Sequence, residues 1–277
     1  MLSVAMLAGS ITQLPAATTA SAADIAIEDF SLADLTMTDA YTVNAFSKEV
    51  EYLLSFDTDR LLCGFRENAK LDTKGAKRYA GWENTLIAGH SVGHYLTAVA
   101  QAYQNPTLTA AQRSALEGKI KALLDGMRVC QQNSKGKPGF LWAGQIKNAN
   151  NVEVQFDLVE QGKTNIINES WVPWYTMHKI VQGLVDVYNA TGNETAKTIA
   201  SDLGDWTYNR ASKWSAQTHN TVLSIEYGGM NDCLYELYEI TGKDTHAVAA
   251  HYFDETNLHE AVLKGGRNVL TNKHANT

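Results

Sequence analysis

The chain has 277 residues, of which 44% are hydrophobic and 19% charged. That is enough apolar side chain to bury a core, in one large domain or two ordinary ones, and too much for a disordered tail. Asp and Glu outnumber Lys and Arg by 30 to 23, a formal net charge of −7 with no long basic run, which argues against a nucleic-acid or anionic-membrane partner.

Residues 1–22 read as a secretory leader. Leu2 to Leu7 form an apolar run, and the small-residue stretch Ala16 to Ala22 ends in Ala20-Ser21-Ala22, an A-x-A cleavage pattern. No Lys or Arg precedes Lys48, so the basic region usual in such leaders is missing. The leader implies a secreted or extracytoplasmic protein. No other apolar run reaches the roughly 20 residues of a membrane span. A first helix is expected over Asp39 to Phe56. Cys63, Cys130 and Cys233 are widely spaced, odd in number and set among apolar residues. They suit buried small hydrophobes better than a disulfide framework or a zinc finger.

The first helical hairpin is announced by Gly81-Trp82-Glu83. A stripe of Val92, Tyr95, Leu96, Val99 and Tyr103 follows, Gln104-Asn105-Pro106 breaks it, and Ala110 to Cys130 forms the return helix. His90 and His94 are an i, i+4 pair, the spacing with which H-E-x-x-H helices hold zinc, although Ser91 replaces the general-base Glu. The pair shares a face with Thr97 and Gln101. Pocket lining, structural hydrogen bonding and a zinc site all remain open for it. Between Gly139 and Glu169 the alternation of Val152, Val154, Phe156 and Leu158 reads as a small inserted β-hairpin.

The second hairpin opens on Glu169-Ser170-Trp171-Val172-Pro173-Trp174-Tyr175, with His178 one turn later. Trp171 and Trp174 stand three apart, so one suits the core and the other solvent or ligand. The stripe Val181, Leu184, Tyr188 stops at Thr191-Gly192, and a helix runs from Glu194 to Arg210. About 50 residues later the unit recurs. Glu226-Tyr227-Gly228-Gly229-Met230-Asn231 opens it, Leu234 leads through Tyr238 to Thr241-Gly242, and the return helix is expected over Asp244 to Phe253. Gly228-Gly229 permits close backbone approach to a ligand or to the next hairpin. His274-Ala275-Asn276-Thr277 falls at the next such position.

About seven helices paired in this way predict a mainly α solenoid or closed toroid of αα-hairpins. Equivalent positions in stacked hairpins share one end of the array, so the clusters at Trp82, Trp171, Glu226 and His274 converge on one rim. Glu83, Glu169 and Glu226 are candidate paired carboxylates for glycoside chemistry.

The motifs Gly81-Trp82-Glu83, Gly89-His90-Ser91-Val92-Gly93-His94-Tyr95-Leu96, Trp171-Val172-Pro173-Trp174-Tyr175-Thr176-Met177-His178-Lys179, Glu226 to Asn231 and His274 to Thr277, in this order, resemble the β-L-arabinofuranosidase-type glycoside hydrolases of family 127 and its neighbour 146. The resemblance runs from about Phe30 to the last residue. It implies an (α/α)6 toroid, present here as roughly its first half over residues 23–277, and a carbohydrate partner: non-reducing-end L-arabinofuranosyl units of plant-derived glycans. It also implies a retaining mechanism in which a zinc-held cysteine thiolate is the nucleophile and a Glu the acid/base. In the family those groups lie downstream of the His-Ala-Asn-Thr motif, on which this chain ends. Cys63, Cys130 and Cys233 do not match the metal cysteines. The resemblance therefore implies zinc in a complete enzyme, none held by this chain, and an inactive piece.

His178 and His274 match motif histidines placed to contact the sugar. Trp82, Glu83, His90, His94, Trp171, Trp174, Tyr175, Glu226, Tyr227 and Asn231 follow as rim residues. A lyase or unsaturated glucuronyl hydrolase on the same toroid, a non-catalytic carbohydrate-binding helical domain and a protein-binding helical scaffold are the rival readings. An open half-toroid also predicts poor solubility or a loosely held end from about Asp244 onward.

Overall fold

The computed structural model describes residues 30–147, 150–165, 169–226 and 229–271. The expected leader, Tyr227, Gly228 and the segment from His274 to Thr277 lie outside the described residues. Within them are eleven α-helices: α1 (Ala40–Ser55), α2 (Thr58–Ala69), α3 (His90–Gln104), α4 (Ala110–Gln132), α5 (Val154–Glu160), α6 (Pro173–Thr191), α7 (Glu194–Ala211), α8 (Ala216–Ile225), α9 (Met230–Thr241), α10 (Asp244–His251) and α11 (Thr256–Leu263). The seven helices expected from periodicity are α1, α3, α4, α6, α7, α9 and α10. Short α2, α5, α8 and α11 are the additions.

Local chemistry explains most of the boundaries. Asp39 caps α1 by accepting the Thr42 N–H at 2.9 Å, and Thr109 with Gln112 forms a capping box at α4. Pro173 sits in the first turn of α6, where its missing N–H costs no helix bond. The repeated Thr-Gly stops are built alike. Gly192 and Gly242 both take a left-handed conformation at φ 66° and donate to the carbonyls of Tyr188 and Tyr238, each at 2.7 Å. Thr191 and Thr241 turn their hydroxyls back to Val187 and Leu237.

α3, α6 and α9 lie side by side as one layer, while α4, α7 and α10 form the second. The tightest seam is α3 against α6. There Gly93 approaches the Lys179 carbonyl, and a Cβ on Gly183 would lie 2.5 Å from the Gly93 oxygen. Gly93 of the histidine motif is therefore a packing residue: a side chain would force the two helices apart.

Among the described residues the expected β-hairpin is absent. Val152, Val154 and Phe156 are buried, but so are the residues between them, Glu153 and Gln155. Burial on every side removes the one-face meaning of the alternation, and the segment folds as α5. Among the described residues, β-pairing is confined to an isolated bridge between Asn165 and Ser170. α5 is anchored by Arg210 of α7, whose guanidinium meets Glu153 at 2.8 Å, Asp157 at 2.5 Å and Glu160 at 2.6 Å. Under this hub lies an aromatic core in which Phe156, Trp174, Trp206 and Phe253 pack with neighbouring ring centroids 4.8–5.5 Å apart.

The end of the chain is held further than expected. α10 packs on α9 and α7, with His246, Ala249, Ala250 and, just beyond it, Phe253 buried. The unburied portion begins after Phe253: α11 has no buried residue, and Leu263 is 86% exposed.

Candidate active-site rim

The amino ends of α3, α6 and α9 carry three of the four expected clusters. α3 is preceded by Gly89, which has φ 103° and no side chain with which to cap the helix. Glu83, from the short 3-10 turn Gly81–Asn84, supplies the cap from outside. Its two carboxylate oxygens accept the N–H groups of Gly89 and Ser91, both at 2.9 Å. The His90 ring lies 3.7 Å away. Burial works against the Glu83 charge, but His90 and the two N–H bonds outweigh it and hold the carboxyl below its usual value. One turn on, His94 is exposed and meets His90 edge to face, ring centroids 5.7 Å apart.

α6 brings its first two turns beside these rings. Tyr175 lies 6.1 Å from His90 and 6.4 Å from His178, centroid to centroid, and Lys179 extends over the Tyr175 ring at 5.4 Å. Trp171, just before α6, contacts Trp82 at 5.6 Å, and Trp82 is 54% exposed. The two indoles thus form an accessible aromatic ledge next to an imidazole-and-phenol row. His178 is kept neutral: burial, then the positive charges of Lys179 and His94, bring its pKa down to about 3. Lys179 is a rim residue that motif reading passes over. Its place immediately after His178 is the available signal.

The third cluster closes on the second through backbone. Gly229, at φ 85°, lies so close to the His178 ring that any Cβ would collide with it. The glycine therefore serves contact with the neighbouring hairpin. Glu226, at the carboxyl end of α8, is only 5% exposed. Its Oε2 accepts the Tyr175 N–H at 2.9 Å, while Oε1 has no hydrogen-bond partner among the described residues. Burial pushes its pKa up to about 8 against the N–H bonds from Tyr175 and Trp174.

Two expected rim residues are placed elsewhere. Trp174, 1% exposed, points into the aromatic core, and Asn231 turns to Asp254 at 3.2 Å. Trp171 and Trp174 thus divide as their spacing allowed, one outside and one in the core. Glu169 lines a separate hollow with Lys147 and Lys163. A larger hollow of about 1030 Å³, around Lys137, Asp157, Arg210 and Trp214, also contains none of the rim side chains. Tyr227 and His274 are outside the described residues.

The donors present do not fit a zinc–thiolate centre. Among the described residues no three His, Cys, Asp or Glu side chains converge where one ion could be held. Cys63, Cys130 and Cys233 are buried. Burial raises all three thiol pKa values, that of Cys130 to about 11, the opposite of what a metal-bound thiolate needs.

The family described as "Beta-L-arabinofuranosidase, GH127 catalytic domain" matches residues 34–277. Among solved structures, a GH127 β-L-arabinofuranosidase from Geobacillus stearothermophilus T6 superposes with a TM-score of 0.53 at 14% identity, covering 83% of this chain and 35% of that one. The GH127 β-arabinofuranosidase BT3674 gives 0.51 at 16% identity, covering 83% of this chain and 34% of that one. At these identities the likeness shows the fold alone, a helical toroid of αα-hairpins. The chain spans about a third of the length of both structures. No curated protein matches it. With the family match running from just before α1 to the last residue, this chain belongs to the GH127 family of glycoside hydrolases.

Proposed function

We propose that these residues build one arc of the sugar-binding rim of a glycoside hydrolase that removes non-reducing-end β-L-arabinofuranosyl units from plant-derived, arabinose-containing glycans. The observation that carries the reading is the family match over residues 34–277. The chemistry of the rim agrees with it. Trp82 and Trp171 offer apolar faces for sugar C–H groups, and His90, His94, Tyr175 and His178 offer polar edges for hydroxyls. The neutral His178 imidazole suits an uncharged sugar, since hydroxyls can both donate to and accept from it. Tyr227 and His274 are proposed as further sugar contacts. Trp174 and Asn231 are assigned to packing and to the α9–α10 junction.

No bond-breaking step follows from the described residues. Glu83 and Glu226 each have at least one oxygen committed to a helix N–H, and the thiols are buried. The nucleophile, the acid/base and any zinc ligands are proposed to come from residues other than those described. We also propose that the protein is exported, on the strength of Ala20-Ser21-Ala22 and the small-residue stretch before it.

Incubation of the purified 277-residue chain with a nitrophenyl β-L-arabinofuranoside is expected to release no nitrophenol. Calorimetric titration with an arabinofuranosyl oligosaccharide is expected to show saturable binding that Trp82→Ala weakens roughly tenfold. Robust, EDTA-sensitive hydrolysis would overturn the assignment of the nucleophile to residues elsewhere. Cleavage of a uronate polymer, read as absorbance of an unsaturated product, would replace this reading with a different toroid enzyme.

A further inference from the structure

We propose that Glu226 is a positioning residue of the rim: from the end of α8 its carboxyl holds the first turn of α6, and so sets the His178 imidazole against Gly229. The inference deepens the sugar-site reading and rests on it for its functional meaning, but its geometry stands apart from any ligand.

Four features of the molecule support it. α6 starts after Val172, which provides no side-chain cap, so its first N–H groups need an acceptor from elsewhere. Glu226 Oε2 supplies one at Tyr175, 2.9 Å away. Gly229, three residues after Glu226, touches the ring of His178, three residues after Tyr175. Glu226 and Gly229 therefore grip α6 at two successive turns, once by hydrogen bond and once by contact. Finally, His178 Nδ1 is buried and has no hydrogen-bond partner among the described residues, so no described side chain on that nitrogen orients the ring. Its orientation comes from the placement of α6 against the start of α9. α3 uses the equivalent device, with Glu83 capping Gly89 and Ser91 from outside the helix. Glu83, however, has His90 beside it, whereas Glu226 has no cation within ion-pair distance among the described residues.

That difference makes the role measurable. Burial keeps Glu226 protonated up to about pH 8. Above that value a carboxylate forms in the seam, facing the start of α6. The charged groups acting on His178 are Lys179 on its own helix and His94 on α3, and on Glu226 the backbone N–H groups of Tyr175 and Trp174. His178, with a pKa near 3, does not itself titrate between pH 7 and 9.

The test is imidazole and amide NMR of the isotopically labelled 277-residue chain from pH 6.5 to 9.5. In the unsubstituted chain the His178 ring and Tyr175 amide signals are expected to move together, with a midpoint near 8. Glu226→Gln mimics the neutral carboxyl and is expected to abolish that inflection. Any part due to Lys179 survives in this variant and is thereby separated. Glu226→Ala is expected to displace both signals already at pH 7. Signals that stay flat across the range in the unsubstituted chain, or an inflection of undiminished size in Glu226→Gln, would overturn the proposal. Should Glu226→Ala fail to fold, the Gln comparison decides the matter by itself. No glycoside enters the measurement, so its failure is distinguishable from failure of the sugar-site reading.

Discussion

Glu83 and Glu226 are the same residue type doing related work in opposite charge states, and the cause is their surroundings. Both are removed from water, which favours the neutral acid. Glu83 recovers its charge through two N–H donors and the adjacent His90, whereas Glu226 accepts N–H bonds with no cation beside it among the described residues and stays protonated at neutral pH. The folded-state pKa of Glu83 is depressed below its ordinary value of 4.5. Its contribution to stability is therefore complete above 4.5 and is lost as pH falls through the folded value. Glu83→Gln is expected to lower the stability measured by urea unfolding at pH 7 by roughly 1 kcal/mol. The gap between the two proteins should close as the pH is taken below 4.5. A gap that persists undiminished in acid would mean that the carboxylate charge is not what caps α3.

At the scale of the elements, the seam between α3 and α6 decides where the rim residues stand. Gly93 has no room for a Cβ beside the Lys179 carbonyl, while Gly118, exposed on α4, has nothing within 4 Å of the equivalent position. The same substitution should therefore act in opposite directions. Gly93→Ala is expected to destabilise by roughly 1–3 kcal/mol through overpacking. Gly118→Ala should stabilise by roughly 0.5–1 kcal/mol by raising helix propensity at an open site. Paired urea midpoints check both, and equal shifts would show that the seam is looser than its geometry. The repeated stops are legible in the chain itself, because Thr-Gly after an apolar stripe states its own termination chemistry. α5 is not. Val152 to Phe156 are buried in succession, polar residues included, so the apolar alternation there does not mark one exposed and one buried face.

Across the whole molecule, the paired layers bury the hairpins up to Phe253 and leave α11 without a buried side chain. Hydrogen exchange should reflect that division. The amides of Ala249 and Ala250 are expected to exchange slowly, and those of Thr256 to Leu263 within the fastest class. Slow exchange through α11 would show that the segment is covered in solution. The boundary lies about ten residues later than an open half-toroid was expected to place it. His246, anchored between Thr241 at 2.8 Å and Asp205 at 3.1 Å, ties α10 into the preceding hairpin.

Residue order was enough to predict the helical class and the hairpin repeat, to carry the resemblance to the family, and to suggest that Trp82, Tyr175, His178 and Glu226 share one end of the array. These follow from periodicity, stop signals and motif order, which are properties of neighbours along the chain. Contacts between helices were needed to place Trp174 in the core and Trp171 on the rim, to turn Asn231 towards Asp254, to make Gly93 and Gly229 contact glycines, and to leave Glu83 charged where Glu226 is not. Each of those outcomes depends on what a different helix presents at a few ångströms, and distance between helices is not written in the spacing within one.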